Sequence, residues 1–585
     1  MKLAYDLETN GLLDTVTTVH CMAVVNIDTG EEKFFLRDAY RVQGLKVDGG
    51  IIEGIAYLKK ATTLVAHNHV GYDYPVLQKL YGFSSDAELL DTLVLAPLVY
   101  PDVRDEDFRR TGFPMKLIGK HSLESWGFRL NMKKGDYGKE RTDWSTFDID
   151  MVNYNLQDAR ICAALYKHCM VKTPCEAAVR LEHEFAASMR RMERTGVSFD
   201  SPKAHELIQT LRAEQDGISL KLQEVFPPQE IEYETPVRKE KRVRKEVFNP
   251  NSRQQIANNL KDRYGWKPTK LTDTGLAVVD EEVLESLDYP EAKLLARHMM
   301  LTKRIGQLSD GDNGLIKLVK EGRIHGRIAT LGTVTGRCSH HNPNLAQVPS
   351  VEVEFGKDFR SLFNAGDGKV LIGCDAKGIQ LRCLAHYLAP YDDGEYARLV
   401  VEGDPHERNR VAAGLATRAE AKRFIYAFLF GAGNTKLANI LNCSASEAAN
   451  VRKRFLENLP AFALLTSNIE NAIGQRKYLK GLDGRLYHIR SAHVALNVLL
   501  QGAEAILMKK ATVLLENALR ADPKHVETKI VLHIHDEIQV EATDQCAGDI
   551  GEMFRTALRQ AGTFYKFRCP LDTDAKIGTN WAETH

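Results

Sequence analysis

Apolar residues recur along this chain in two periods, and the period changes with position. Near the start the apolar stretches are short: Leu3-Ala4-Tyr5, Cys21-Met22-Ala23-Val24-Val25 and Thr63-Leu64-Val65-Ala66. Runs of this length predict strands. Residues 151–171 carry apolar positions at helical spacing instead, so residues 1 to about 175 are expected to form an α/β unit. The pattern from 176 to 225 is that of a long amphipathic helix, and 280–320 is again helical. Beyond 323 come short strands and turns, rich in glycine around Gly332-Thr333-Val334-Thr335-Gly336-Arg337. Val370-Leu371-Ile372-Gly373-Cys374 reads as a buried strand, 404–475 as mostly helix, and 492–519 as one long helix. Ile530 to Val540 runs apolar, charged, apolar, which predicts a hairpin near 529–542. The expected class is a multidomain α/β and α+β protein. A chain of 585 residues is too long for one core and implies roughly three or four domains.

Composition changes this picture little. The chain is 44% hydrophobic and 27% charged, as in ordinary globular proteins. No run of about 18 apolar residues occurs, so no membrane helix is expected. Met1-Lys2-Leu3-Ala4-Tyr5-Asp6 meets an acid too early for a signal peptide. Ten cysteines without a C-x-x-C pair argue against a zinc ribbon or a disulfide framework, and fit a reducing compartment. A formal net charge of zero argues mildly against nucleic-acid binding. A basic groove balanced by acidic metal sites would give the same sum.

Candidate chemistry begins with acids. Asp6 and Glu8 share one face of the first strand, and two carboxylates on one face repel unless a cation separates them. Asp73 follows the strand 63–66, and Tyr154 and Asp158 stand one helical turn apart. Four such carboxylates could hold two divalent metals about 4 Å apart for phosphodiester hydrolysis, with Tyr154 orienting the attacking water. A lone D-x-E is usually a solvated strand end. The ordered set D-x-E, N-x₄-D, Y-x₃-D is far more specific, and resembles the tyrosine-bearing branch of the DEDD exonucleases, which have a ribonuclease H-like fold. That resemblance implies Asp6, Glu8, Asp73 and Asp158 as metal ligands.

A second set lies in the C-terminal half. His535-Asp536-Glu537 sits at the predicted hairpin turn, and Asp375 ends the buried strand that starts at Val370. Neighbouring strands would make Asp375 and Asp536 a second two-metal site, suited to attack of a primer 3′-hydroxyl on a nucleotide α-phosphate. Between them in sequence, Arg418, Lys422, Tyr426 and Phe430 recur at four-residue steps. Each step drifts only about 40° around a helix, so the four form one stripe, basic at one end and aromatic at the other. Taken alone this is an amphipathic helix with core aromatics. Beside two acid clusters it suits a nucleoside triphosphate. Gly431-Ala432-Gly433-Asn434-Thr435-Lys436 lacks the spacing and the final Ser/Thr of a P-loop.

With these residues placed, the chain resembles the family A (polymerase I-like) DNA polymerases of phage replicative type over nearly its whole length. The resemblance rests on Thr335-Gly336-Arg337 with Pro343-Asn344-Leu345, Leu381-Arg382-Cys383-Leu384-Ala385-His386, Gly481-Leu482-Asp483-Gly484-Arg485, His535-Asp536-Glu537-Ile538-Gln539-Val540 and Asn580-Trp581-Ala582. It implies a 3′→5′ exonuclease over 1–175 and a right-hand polymerase behind it. The thumb would span 176–325, the palm 326–400 and 479–585, and the fingers 401–478. It implies Asp375, Ala376 and Asp536 as metal ligands, with Glu537 close by. His406, Arg418 and Lys422 would bind the triphosphate, and Lys422 could protonate the leaving pyrophosphate. Tyr426 would meet the sugar. Arg337, Asn344, Asn497, Gln501 and His535 would meet the DNA, the first four on its minor-groove side. Mg²⁺ is the implied cofactor, two ions in each site, with Mn²⁺ as a substitute. Primer-template DNA and dNTPs are the implied ligands. A helicase-primase and a single-strand-binding protein are the implied partners, in the cytoplasm of an infected bacterium and away from any membrane.

Three positions depart from the family pattern. Gln380 stands where the family has a glutamate that excludes a ribose 2′-hydroxyl, Phe430 where it has a tyrosine able to bond that glutamate, and Lys377 where it has serine. Joint loss of the carboxylate and the phenol leaves no orphan. One reading is a compensated swap that keeps deoxynucleotide selection; the other is altered selectivity for sugar or base. The stretch 227–248 is short and basic, with Arg238, Lys239, Lys241, Arg242, Arg244 and Lys245, either as a solvated loop or ribbon or as a phosphate-contacting arm. It is too short for the long thumb insertion with which a phage member of the family captures thioredoxin, so no such clamp is expected. The rival readings are a nuclease whose second half mainly binds DNA, and a catalytically silent DNA-binding protein.

Overall fold

The computed structural model describes residues 1–38, 40, 46–234, 241–489 and 491–585. The N-terminal unit is built on a five-stranded sheet of Lys2–Thr9, Val19–Asn26, Glu32–Leu36, Thr63–Ala66 and Glu88–Asp91. The first strand lies at its centre, antiparallel to the second and parallel to the fourth. Leu3, Ala4 and Tyr5 are fully buried there, as a strand covered on both faces requires. Helix Ile149–Met170 packs across this strand. Asp148 caps it by accepting the Met151 N–H at 3.0 Å. Its buried face carries Met151, Val152, Asn155, Asp158, Ala159 and Cys162 at steps of three and four. Apolar packing therefore turns Asp158 inward with its neighbours.

The helix expected over 176–225 is two helices, Glu176–Thr195 and Ser201–Val225, separated by the short strand Val197–Phe199. The amphipathic period reads through the break, but Gly196 ends the first helix at φ 65, a conformation that favours glycine. A Cβ there would meet His325 Nδ1 at 2.8 Å. Asp200 starts the second helix by accepting the Lys203 N–H at 2.9 Å. Ser201–Val225 then packs along helix Pro290–Leu308. The basic stretch is a two-stranded ribbon, Gln229–Glu234 against Lys241–Glu246. Its Arg238, Lys239 and Glu240 lie outside the described residues.

A second sheet forms the centre of the C-terminal half. Its four antiparallel strands run in the order Lys529–Ile534, Glu537–Thr543, Lys369–Ala376, Thr573–Gly578. Helices Ala495–Ala521 and Asp544–Phe564 pack against each other, and the second also covers the sheet. The latter helix and the last strand are absent from the pattern-based expectations. Thr573–Gly578 is mostly exposed and carries Asp574 and Lys576, so it has no apolar alternation to read. Between the first strand and the hairpin the chain builds a helical lobe over 405–476. Its core rings Phe424, Phe428, Phe455 and Phe462 meet edge to face at 5.2 to 5.5 Å.

One helix joins the two halves. In Glu176–Thr195, Val179 belongs to the core of the N-terminal unit and Phe185 to that of the C-terminal half. The Asp91 N–H donates to His183 Nε2 at 2.8 Å. The preceding residue, Glu182, is fully buried and accepts Lys509 Nζ on both oxygens at 2.7 Å. Arg485 Nη2 reaches Glu182 at 2.6 Å and is itself paired with Asp483. Removing one member of so buried a network strands the opposite charge. Lys509→Met is therefore expected to cost about 3–5 kcal/mol in urea unfolding. An unchanged midpoint would mean that Arg485 alone satisfies Glu182.

Candidate active sites: two carboxylate clusters

The first cluster is at the centre of the N-terminal sheet. Ligand oxygens of Asp6, Glu8 and Asp158 lie within 4.8 Å of one another, two of them from the first strand and one from the helix across it. Asp73 begins helix Asp73–Tyr81 and is buried beside them, its carboxylate held partly by the Leu7 N–H. Burial first, and the Asp158 charge second, push Asp6 up to about 8. Burial likewise lifts Asp158 to about 6. Glu8 and Asp73 are raised well above the usual carboxylate range by burial and then by Asp6. Packing has thus forced four acids together that resist ionising together. One buried oxygen of Asp158 has no hydrogen-bond partner. Such a set matches a divalent cation, which would take the place of the shared protons.

Three residues that the sequence reading missed hold this cluster. Lys134 Nζ sits 2.6 Å from Asp158 and 4.7 Å from the centre of the Tyr154 ring. Asn155 donates to Asp6 at 2.7 Å. Asp91 accepts the N–H groups of Asn68 and Val70, at 2.9 and 3.1 Å, and so shapes the loop leading to Asp73. A spacing argument could have found Asn155, which follows Tyr154 on the buried helix face. Lys134 comes from an irregular segment and carries no local signal.

The second cluster forms where two strands of the C-terminal sheet end together. Asp375 pairs in register with Glu537 on one side and Asp574 on the other, and the Ala376 N–H donates to the Asp536 carbonyl at 2.9 Å. His535 turns the hairpin with φ 55. Burial, then Asp536 and Glu537, raise Asp375 to about 6. Burial also raises Asp536, against the pull of Arg337 and His535. Glu537 behaves differently. Burial would raise it, but His585, Gln539 and Trp581 together hold it below the usual range. Trp581 Nε1 and Gln539 Nε2 both donate to Oε1 at 2.6 Å, and His585 Nδ1 lies 2.9 Å from Oε2. Glu537 thereby ties the last residues of the chain to the turn that carries Asp536.

The expected stripe exists on helix Arg418–Leu429. Phe424, Ile425, Phe428 and Leu429 are buried, while Arg418, Lys422 and Phe430 are exposed and Tyr426 is half-buried. The helix starts in a capping box between Thr417 and Glu420. The rings of Tyr426 and Phe430 stack at 6.3 Å, and His406 lies 6.1 Å from Tyr426. Arg418 pairs with Asp404 at 2.6 Å, and burial, then the nearby Asp536 charge, raises the Tyr426 phenol above its ordinary value. Asn497 and Gln501 share one face of helix Ala495–Ala521. Asn344 lines a cavity of about 380 Å³ with Lys303, Gln307 and His340. Arg337 Nη2 contacts both carboxylate oxygens of Glu504 at 2.6 Å. Lys377 is exposed, 3.7 Å from Asp574. No helix among the described residues is long and apolar enough to cross a membrane, and all ten cysteines are free.

Residues 229–583 match the model of DNA polymerase family A. The chain is 34% identical to the DNA-directed DNA polymerase of Enterobacteria phage T3 over the full length of both chains. It is also 34% identical to that of Escherichia phage T7, covering 99% of each. Among solved structures, the "POL domain of Pol1 from M. smegmatis complex with DNA primer-template and dNTP" superposes with a TM-score of 0.77 over 99% of this chain and 96% of that one. At 18% identity this last likeness speaks for the fold alone.

The first cluster makes a pH-dependent contribution whose sign follows from its shifts. Asp6 ionises near its ordinary 3.8 when unfolded and near 8 when folded. Between those values the folded chain holds a proton that the unfolded chain lacks, so rising pH removes stability. The unfolding midpoint measured in chelator is expected to fall from about pH 5 to about pH 8, and Asp6→Asn to flatten the fall. A wild-type profile already flat over that range would contradict the crowding.

Proposed function

The chain belongs to DNA polymerase family A, and we propose that it is a template-directed DNA polymerase of phage replicative type that also trims 3′ ends at a separate site. The observation that carries the polymerase reading is the meeting of Asp375 and Asp536 at the ends of neighbouring strands, with Tyr426 of the Arg418–Phe430 stripe near enough to feel the Asp536 charge. The Asp6, Glu8, Asp158 cluster, with Asp73 beside it, supports the exonuclease. On this reading residues 1–175 are the exonuclease and 176–325 the thumb. The palm is 326–400 with 479–585, and the fingers are 401–478.

Crowded acids at both sites, with pKa values raised by burial and by one another, fit divalent cations. Asp375, Asp536 and the Ala376 backbone oxygen would hold them in the polymerase site, and Asp6, Glu8, Asp73 and Asp158 in the exonuclease. There Mg²⁺ would supply Lewis acidity for attack at phosphorus. The protein's own groups do the rest. Arg418 exchanges its exposed pairing with Asp404 for the triphosphate, with His406 and Lys422 beside it. Lys422 gives a proton to the departing pyrophosphate. Tyr426 and Phe430 offer stacked rings to sugar and base. Arg337, Asn344, Asn497, Gln501 and His535 line the path of the primer-template end. Glu537 acts through the turn it braces. In the exonuclease, Tyr154 orients the attacking water, while Lys134 offsets part of the acid charge. The expected setting is the infected bacterial cell, with a helicase-primase and a single-strand-binding protein as partners and no thioredoxin clamp.

Extension and degradation of a labelled primer-template with Mg²⁺ test both sites together. Asp536→Ala is expected to abolish extension and leave degradation, and Asp6→Ala to do the reverse. Loss of both activities in each variant would sink the two-site reading. Extension without any degradation by the wild type would remove the exonuclease alone. If the ribbon 229–246 holds DNA, replacing Arg244 and Lys245 by Gln should shorten products at high salt. Product lengths that stay the same at low and high salt would exclude that role.

A further inference from the structure

Glu504 lies in the interior of helix Ala495–Ala521 and is completely buried. Nothing in the sequence pattern marked it. It stands on the same face as Asn497 and Gln501, seven and three residues before it. A buried carboxylate needs partners, because leaving one unpaired is costly. Its strongest partner is the Arg337 guanidinium, whose Nη2 meets both oxygens at 2.6 Å. The other neighbours come from helix Ile379–Asp392. That helix packs against Ala495–Ala521, which brings the Gln380 carboxamide close enough to favour the Glu504 carboxylate and the Cys383 thiol, one turn further along, close enough to feel its charge. Asp536 is close enough to repel it. Glu504 thus connects three elements at the second carboxylate cluster: the Arg337 turn, the start of the Gln380 helix and the Asp536 hairpin.

We propose that Glu504 is a positioning residue of the polymerase site, holding the Arg337 guanidinium and the Gln380 carboxamide beside Asp536, and that its presence is what makes residue 380 a neutral amide. The inference rests on the polymerase reading given above. A glutamine can donate to Glu504 through its NH₂ group, whereas an ionised glutamate has no donor. A carboxylate at 380 would put two acids on one guanidinium, with Asp536 as a third nearby. The charge absent from position 380 therefore stands at 504, on the opposite helix, where Arg337 neutralises it. This assigns Gln380 a partner other than Phe430, whose ring is 42% exposed and stacks on Tyr426. The substituent that Gln380 presents to the incoming nucleotide's sugar is then fixed by Glu504.

The test compares incorporation of one matched dNTP and the corresponding rNTP by wild type, Glu504→Gln, Gln380→Glu, the double variant Gln380→Glu with Glu504→Gln, and Gln380→Glu with Phe430→Tyr. The ratio of the two kcat/KM values is taken on one preparation, so the fraction folded cancels. Glu504→Gln is expected to shift that ratio by roughly tenfold. Gln380→Glu alone is expected to lose roughly tenfold or more in dNTP incorporation. Moving the charge back, in the double variant with Glu504→Gln, should return it to within about threefold of wild type. A ratio unmoved by Glu504→Gln would overturn the proposal. So would a double variant no better than Gln380→Glu, or rescue by Phe430→Tyr instead. Absence of any wild-type extension would overturn the polymerase reading and this inference with it. Normal extension with uncoupled residues would overturn the inference alone.

Discussion

Seven backbone pairings between Lys369–Ala376 and Glu537–Thr543 fix where Asp375 and Asp536 stand. Nothing about two distant acids favours their meeting, since like charges in a buried setting repel. Sheet register makes them meet regardless. Both strands are buried along most of their length, and in Glu537–Thr543 apolar Ile538, Val540 and Ala542 alternate with Glu537, Gln539 and Glu541, so a slip of one residue would exchange the apolar set for the polar one. The free energy of burying Leu371, Ile372, Cys374, Ile538 and Val540 is what holds the acids together. The N-terminal unit reaches the same end by other means. A central strand and a helix packed across it drive Asp6, Glu8 and Asp158 to one spot.

Local charge balance accounts for a composition that argued against nucleic acid. Each cluster has its own cation close by: Lys134 beside Asp158, and Arg337 between Glu504 and Asp536. Exposed cations lie elsewhere, on Arg418, Lys422 and Lys245. A formal sum of zero conceals this separation, because the buried acids and the exposed bases face different surroundings. Net charge describes long-range steering and solubility and says little about a cleft.

Elements with a strong apolar period were legible in the sequence: the N-terminal strands, the helix carrying Tyr154 and Asp158, the lobe 405–476 and the hairpin. Breaks within a period were not. Gly196 interrupts a helical pattern that continues on both sides, and only the close approach of His325 shows why the chain must turn there. Thr573–Gly578 is a true sheet strand with an exposed, polar sequence, held by backbone pairing to Lys369–Ala376. Acids flanked by apolar strands stood out as a site. Residues that serve them did not stand out, because the contact that matters runs across the fold: Lys134 to Asp158, Asn155 to Asp6, Asp91 to Asn68 and Glu504 to Arg337. Glu504 is the clearest case: in a one-dimensional pattern it is one polar position inside an apolar helix. The Gln380 departure was visible as an oddity, but its physical neighbour lies more than a hundred residues away.

Residues 182 and 183 give the joint between the two halves its character. One side chain is sealed into the C-terminal half by Lys509 and Arg485, and the next accepts a hydrogen bond from a backbone N–H of the N-terminal sheet. Because the two are consecutive on one helix, no flexible spacer separates the anchors. Mechanically this is a weld and not a hinge. On the proposed two-site reading, such a joint resists changes in the span between the two carboxylate clusters, and a strand end that is to visit both must do most of the travelling. On the two-site reading, the difference between a sound and a faulty terminus is then expressed in the nucleic acid, through how readily it comes unpaired, while the protein serves as a fixed ruler.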